Sequence, residues 1–348
     1  MKEHQFGIMS YNKGFEKFNL NIGDYIQSIA ASTFFENVDH YLEREGLDDR
    51  NIPEQIKIIL NGWFMHSPDN WPPSQNLIPL LISFHITDRN FADIKMLSPS
   101  GIAYLKSHEP IGCRDYETLK LLGKYGIRVY FSGCLTLTLG RKYTVNTKTE
   151  NIYFVDVPLW EGKTEFMLKY IPKILRHFLS ILSIYKRIKE RKENILYALA
   201  KACSFYCLYS NIFENNILTK IEFVNHSIDR KILKNNSLCF EHAEKLLTKY
   251  ASAKLVVTSR LHCALPCLGM ETPVIFINRE GLSARRFEGL LELMRVFYLK
   301  NNNFQTEDAL LLKAGKIGYS TKIENKRDYI KIKEKLEEKC KEFVRKAI

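Results

Sequence analysis

Short apolar runs alternate with longer segments of helical spacing over the first third of the chain. Residues 6–11 form the first run and predict a strand, whereas residues 25–35 repeat their apolar positions with the period of an amphipathic helix. Further strands are predicted at 56–60, 80–84, 111–113 and 128–131, and further helices at 99–106 and 116–125. Repeated strand–helix units of this length indicate a parallel sheet covered by helices.

The same alternation returns in the last third of the chain. Strands are predicted at 221–224, 255–257 and 273–277, and helices at 240–250, 261–269, 284–294 and 328–345. For residues 133–138 the alternation predicts extended chain. The pattern as a whole predicts an α/β fold of two lobes, 1–160 and 216–348, joined by a helical segment at 161–215.

The joining segment is rich in lysine and arginine and has helical periodicity over residues 164–209, with a basic run at 186–192. A solvated helix face explains such a run, and we favour that interpretation. Docking on an anionic membrane or on a lipid-linked substrate is the alternative.

The composition is that of a soluble globular protein, with 45% hydrophobic and 26% charged residues among 348. No signal-peptide stretch follows the N-terminus and no apolar run is long enough to span a membrane, so we expect a cytoplasmic protein. The eight cysteines form no CxxC pair, which favours buried, reduced thiols over a zinc site. The net charge of +12 favours anionic partners. We expect no nucleic acid among them, because the basic residues are scattered and no recognition motif is present.

Several motifs of cofactor and metal enzymes are absent. The chain has no phosphate-binding loop GxxxxGK[ST], no GxGxxG after the first strand, no HExxH and no GxSxG. We therefore expect neither a cofactor nor a catalytic metal.

The strongest chemical signal follows the strand predicted at 255–257. Ser259, Arg260, Leu261 and His262 stand where that strand ends and the next helix begins. Backbone N–H groups at a helix start favour anions, and an arginine can bind a carboxylate or phosphate through two parallel hydrogen bonds. Pairing of Arg260 with an acid and capping of the helix by His262 would be the purely structural explanation. Because these features coincide, we favour a functional one.

Weaker signals stand at other strand ends and helix starts. Gly23 and Asp24 precede the first long helix, where Asp24 could cap the helix or face a cleft as a base. Arg114 follows a short apolar strand, next to Asp115 as the expected cap. The remaining candidates after strands are Asn225, His226, His66 and His85. Ligands bind at the carboxyl ends of strands in α/β sheets, so these residues should converge.

Taken together, these stretches resemble the polysaccharide pyruvyl transferase family. The matching residues run from Gly23-Asp24, through Gly112 to Thr118 and Phe131 to Thr138, to Val257-Thr-Ser-Arg-Leu-His-Cys-Ala-Leu-Pro266 and the strand after it. The resemblance implies two Rossmann-like lobes of the GT-B type, with the acceptor on the N-terminal lobe and the donor on the C-terminal lobe. It also implies transfer of a pyruvyl group from phosphoenolpyruvate to a sugar, as a ketal.

Residue roles follow from that resemblance. Arg260 would bind the carboxylate or phosphate of the donor, and His262 would protonate its methylene carbon. Arg114 would add a second positive charge, and Asp24 would take the proton of a sugar hydroxyl. The acceptor would be a sugar of a surface polysaccharide, such as a capsule or exopolysaccharide, or its lipid-linked precursor at the inner face of the membrane.

Two other functions stay open. A glycosyltransferase of the GT-B type would use a nucleotide sugar and needs a carboxylate for the ribose, for which Glu280 and Glu288 are candidates. A basic, non-catalytic protein of polysaccharide assembly is the second.

Overall fold

The structure of the protein is a computed structural model that describes residues 5–11, 19–53, 55–64, 66–88, 91–159, 165–189, 193–279 and 284–346. Within these ranges the strands are β1 (Gln5–Ser10), β2 (Leu20–Asn21), β3 (His40–Glu43), β4 (Ile56–Trp63), β5 (Leu77–His85), β6 (Ile111–Cys113), β7 (Val129–Phe131), β8 (Ile152–Val155), β9 (Glu222–Val224), β10 (Ser227–Ile228), β11 (Leu255–Thr258), β12 (Val274–Arg279), β13 (Arg295–Lys300) and β14 (Asn303–Gln305). The helices are α1 (Ile22–Ser32), α2 (Phe91–Met96), α3 (Pro99–Ser107), α4 (Tyr116–Lys124), α5 (Gly140–Tyr143), α6 (Glu165–Arg176), α7 (Phe178–Ile188), α8 (Ile195–Tyr209), α9 (Asn215–Leu218), α10 (Asn236–Ser252), α11 (Leu261–Gly269), α12 (Ala309–Ala314) and α13 (Tyr329–Arg345).

Two six-stranded sheets organise the chain, as the alternation of strands and helices predicts. The first has the order β3-β1-β4-β5-β6-β7 and is parallel throughout. The second has the order β14-β13-β12-β11-β8-β9 and is parallel except at its β13–β14 edge. A short antiparallel ribbon of β2 and β10 joins the two parts. The mixed α/β class is therefore confirmed.

The joining helices cover one face of the second sheet. Along β8, Tyr153 and Val155 face the core that the two sheets share, whereas Ile152 and Phe154 alternate to the other face. There Phe154 contacts the rings of Phe205 and Tyr209 on α8. The helical periodicity predicted for residues 164–209 is thus confirmed over 165–188 and 195–209, whereas 164 and 190–192 lie outside the described residues. Burial of this apolar face holds the segment in place.

The sheets do not divide at the predicted residues. β8 lies within the predicted lobe 1–160 but pairs with β11 in the second sheet. The C-terminal helix α13 returns to the first sheet, where Nζ of Lys57 on β4 donates hydrogen bonds to the carbonyls of Phe343 and Val344. The division at residues 160 and 215 stays a prediction.

Two local predictions are wrong. Residues 284–294 form two short 3-10 turns rather than one helix, because Gly289 between them has a φ of +83° that helical backbone excludes. Residues 133–138 are not extended, since Leu135–Leu139 is a 3-10 helix. All eight cysteines are buried and none forms a disulfide.

No helix in the described ranges combines the length and the apolar character needed to cross a bilayer.

Candidate active site

The carboxyl ends of strands from both sheets meet at one cleft of about 440 Å³. His85 is the last residue of β5, Arg114 follows β6, and Arg260 and His262 follow β11. The side chains that line the cleft are Asn21, Gly23, Asp24, Gln27, Trp63, His66, His85, Thr87, Arg114, Glu117, His226, Arg260, Leu261, His262 and Arg286. The predicted convergence of the strand ends is therefore confirmed for most of the candidates.

Arg114 is the most deeply buried charge in the cleft. Its side chain is 2% exposed, and its Nε donates to Oδ2 of Asp115 at 3.2 Å. Nη2 of the same guanidinium is buried without a hydrogen-bond partner in the described part of the chain. Because an unsatisfied buried donor is costly, this atom marks a position that an acceptor, such as an anionic ligand, would complete.

Asp115 fixes both Arg114 and His85. It caps α4 as predicted, with Oδ1 accepting from the backbone N–H of Thr118, while Nδ1 of His85 lies 2.7 Å from Oδ2. Burial, followed by the Arg114 charge, lowers the pKa of His85 to about 4, so its imidazole is neutral at pH 7. A carboxylate only accepts hydrogen bonds, so the single imidazole proton lies on Nδ1 and leaves Nε2 as an acceptor.

His262 lies at an irregular first turn of α11. Arg260 occupies the N-cap position, and His262 has φ −81° and ψ 18°, so the alternative in which His262 caps the helix is wrong. Its Nε2 is buried and has no hydrogen-bond partner in the described ranges. Burial, and after it the charges of Arg114 and Arg286, hold the pKa of His262 well below its ordinary value. In the free protein His262 is therefore neutral.

Arg260 lies at the rim of the cleft and is oriented by Asp156, the residue after β8. Its Nε donates to Oδ2 of Asp156 at 2.6 Å, and Oγ of Ser259 donates to the Asp156 carbonyl at 2.5 Å. Arg260 thus has the acidic partner that the structural alternative expected, yet its side chain stays exposed beside the cleft. Ser259 lines the adjacent cavity rather than the cleft itself, so its role is to orient Asp156.

Asp24 faces the cleft from the first turn of α1. The cap of this helix is Asn21, whose side chain accepts from the backbone N–H of Gly23, so Asp24 is not the cap. Oδ1 of Asp24 accepts from Asn21, and Oδ2 lies 3.8 Å from the Arg44 guanidinium. Burial raises the pKa of Asp24, although the Arg44 charge opposes this shift. A carboxylate with a raised pKa is suited to accept a proton.

The pair after β9 divides between two cavities. His226 lines the cleft, fully buried, with Nε2 2.9 Å from the Tyr250 hydroxyl. Burial, followed by the Arg260 charge, lowers the pKa of His226 to about 3. Asn225 lies instead in a neighbouring cavity that shares only Arg260 with the cleft.

Sequence reasoning missed several cleft residues. Asp156 directly follows a strand, so the strand-end rule could have found it. Trp63 is the last residue of β4, so the same rule applies to it. Arg286 follows no strand end and joins the cleft through the tertiary fold alone. Glu280, a candidate ribose ligand, lies outside the described residues. The described part of the chain holds no cluster of three or more metal-ligating side chains.

We expect Gly23→Ala to destabilise the protein relative to Gly123→Ala. A Cβ at Gly23 would lie 3.1 Å from both Cβ and Nδ1 of His262, whereas a Cβ at Gly123 meets nothing within 4 Å. Both substitutions replace glycine by alanine within a helix and so gain the same helix propensity. The free energy of unfolding of Gly23→Ala should therefore be about 1–3 kcal/mol lower than that of Gly123→Ala, because of the crowding at His262. Urea unfolding measures it; equal stabilities would show that His262 does not lie against Gly23.

The crystal structure of a functionally uncharacterized protein from Klebsiella pneumoniae is 14% identical, with a TM-score of 0.39, and the match covers 83% of this chain and 88% of that one. No curated protein matches the chain. The family model described as polysaccharide pyruvyl transferase matches residues 21–281. Because this span covers most of the chain and holds nearly every cleft residue, the protein belongs to the polysaccharide pyruvyl transferase family.

Proposed function

We propose that the protein transfers a pyruvyl group from phosphoenolpyruvate to two hydroxyls of a sugar, forming a ketal. The observation that supports this most is the pair of buried atoms without partners, Arg114 Nη2 and His262 Nε2, in one cleft with two further arginines. Phosphoenolpyruvate carries a phosphate and a carboxylate, and such a donor would complete these groups. The binding role of Arg114 and Arg260 follows from this match of charges.

In this proposal the donor lies where the two lobes meet. Arg114 from the first lobe and Arg260 and Arg286 from the second supply the positive charge, while Gly23 and Leu261 shape the wall beside His262. We infer an arrangement of two Rossmann-like lobes facing each other, of the GT-B type. No cofactor or metal enters the reaction.

His262 is the proposed general acid. It is neutral in the free protein because the arginines and burial depress its pKa. Binding of a multiply charged anion offsets those arginines, so the pKa of His262 rises and the imidazole takes up a proton. The protonated imidazole then donates to the methylene carbon of phosphoenolpyruvate, which becomes a methyl group and leaves an electrophilic carbon bearing the phosphate oxygen.

Ketal formation then consumes two sugar hydroxyls. The first hydroxyl attacks the electrophilic carbon and loses its proton. The carbon–oxygen bond to phosphate then breaks, and its electron pair leaves with the phosphate. Finally the second hydroxyl attacks the same carbon, closes the ring and loses its own proton. The proton from His262 ends on the methyl carbon, one hydroxyl proton ends on the released phosphate, and the other hydroxyl proton passes to solvent, which balances the proton that His262 took up on donor binding. Asp24 is the proposed base, and Nε2 of His85 is the second acceptor in the same cleft.

The acceptor is proposed to bind on the N-terminal side of the cleft. Trp63 offers an aromatic face there, and Gln27 and Glu117 offer amide and carboxylate groups that suit sugar hydroxyls. We propose a sugar of a surface polysaccharide or of its lipid-linked precursor as the acceptor.

Neither alternative function has a specific observation in its favour. Glu288, a candidate ribose ligand of a nucleotide-sugar enzyme, pairs with Lys120 at 3.0 Å and lies outside the cleft lining. A non-catalytic assembly protein would have no need of buried donors left without partners at a cleft.

We expect phosphoenolpyruvate, and not pyruvate or nucleotide sugars, to raise the melting temperature of the protein, because a ligand that binds the folded state stabilises it. Arg260→Ala should weaken donor binding by about 2 kcal/mol, the lower end for a truncated charge partner, because its side chain is exposed. Arg285→Ala, an exposed neighbour outside the cleft lining, is the matched control. A shift with a nucleotide sugar alone would instead support a glycosyltransferase.

Donor binding should take up protons at neutral pH. His262 is neutral when free and becomes charged in the complex, so affinity should rise as the pH falls through the pKa of His262 in the complex and should level off only near its lower pKa in the free protein. Calorimetric titrations in two buffers of different ionisation enthalpy measure the proton count. His262→Gln should reduce that count and should lower turnover more than binding. An unchanged count in His262→Gln would remove the proposed acid.

A further inference from the structure

Helices α6 and α7 expose a row of large apolar side chains, the apolar stripe, that no packing in the described structure explains. Ile171, Leu175, Phe178 and Leu179 are 44%, 71%, 47% and 81% exposed. Backbone hydrogen bonds from His177 to Lys173 and from Ile181 to His177 carry the helical turn through the junction. Ile171 and Leu175 are four residues apart and share one face of α6, and Phe178 and Leu179 continue the stripe on the first turn of α7, after the non-helical His177.

The opposite face already supplies the packing. Ile181, Ile184 and Ile188 of α7 are buried in the core beneath the second sheet. The apolar stripe is therefore not part of the packing that holds α7 against the protein. Large apolar side chains gathered on one exposed face mark an interaction surface more often than chance exposure.

The charges around the stripe are of one sign. Residues 173–189 contain five lysines and arginines and no aspartate or glutamate. Arg176 adjoins the stripe, and Lys186, Arg187 and Lys189 are exposed at the end of α7. Lys186 stands seven residues after Leu179 and so extends the same face. An apolar face that lysines and arginines border over residues 173–189 is complementary to the anionic headgroups and acyl chains at a membrane surface.

We propose that the apolar stripe and its cations dock the protein on an anionic bilayer surface. A cavity of about 470 Å³ lies between the end of α7 and the rim of the cleft, since it is lined by Arg187 and Lys189 together with Asn225 and Arg260. Docking along α6 and α7 brings the rim of the cleft to the bilayer. This inference does not depend on the donor or on the reaction.

Co-sedimentation with vesicles tests the proposal on the whole chain. The wild-type protein should bind vesicles of phosphatidylcholine and phosphatidylglycerol, bind pure phosphatidylcholine weakly, and release as salt rises. Leu175→Ser/Leu179→Ser and Lys186→Glu/Lys189→Glu should each lower the affinity about tenfold or more, since a lysine near such a surface contributes about 1 kcal/mol. Leu312→Ser/Lys313→Glu on α12, where Leu312 is 61% exposed, is the matched control and should bind as the wild type does.

Three results would overturn the proposal. The first is a wild-type protein that sediments with neither vesicle. The second is equal loss in the α12 control, which would make the binding a matter of total charge and hydrophobicity. The third is a wild-type dimer that Leu175→Ser/Leu179→Ser converts to monomers, which would assign the stripe to self-association. Thermal melting of each variant verifies that it is folded.

Discussion

Burial of the Arg114 guanidinium is the constraint on which the cleft depends. A buried charge must be paired, and the next residue, Asp115, provides the pairing through Nε. Asp115 is held in turn by His85 and by the start of α4. The network therefore leaves one guanidinium nitrogen for a ligand, and it also fixes the tautomer of a second cleft histidine.

The charge of Arg114 also lowers the pKa of His262. Burial, and after it the charges of Arg114 and Arg286, keep His262 neutral, so the cleft in the free protein combines an uncharged imidazole with several arginines. A phosphorylated ligand would change both properties together. In the proposed reaction, binding and acid activation are coupled, because the anion that the arginines attract offsets the part of the pKa depression of His262 that their charges cause.

Contact between the lobes places the remaining groups. The β2–β10 ribbon and the hydrogen bond from the Ile22 N–H to the His226 carbonyl bring the start of α1 against the start of α11. Gly23 then lies directly beside His262, so that a Cβ at Gly23 would lie only 3.1 Å from Cβ and Nδ1 of that histidine. Glycine at this position thus allows the two lobes to approach each other closely.

Much of this arrangement could be predicted from the sequence because it is local. The turn after β11 and the cap at Asp115 depend on a few adjacent residues, and both are where the pattern placed them. What the local pattern does not contain depends on contacts between distant segments: β8 pairs with β11 in the second sheet, and Arg286 reaches the cleft from the two 3-10 turns that Gly289 separates. Asn225 and Ser259 follow strands as predicted, but they line cavities adjacent to the cleft.

A crystal structure of the protein with phosphoenolpyruvate tests the central claim most directly. The account predicts a phosphate or carboxylate oxygen within hydrogen-bond distance of Arg114 Nη2, and the methylene carbon next to His262 Nε2. A donor bound elsewhere, with those two atoms still without partners, would contradict it.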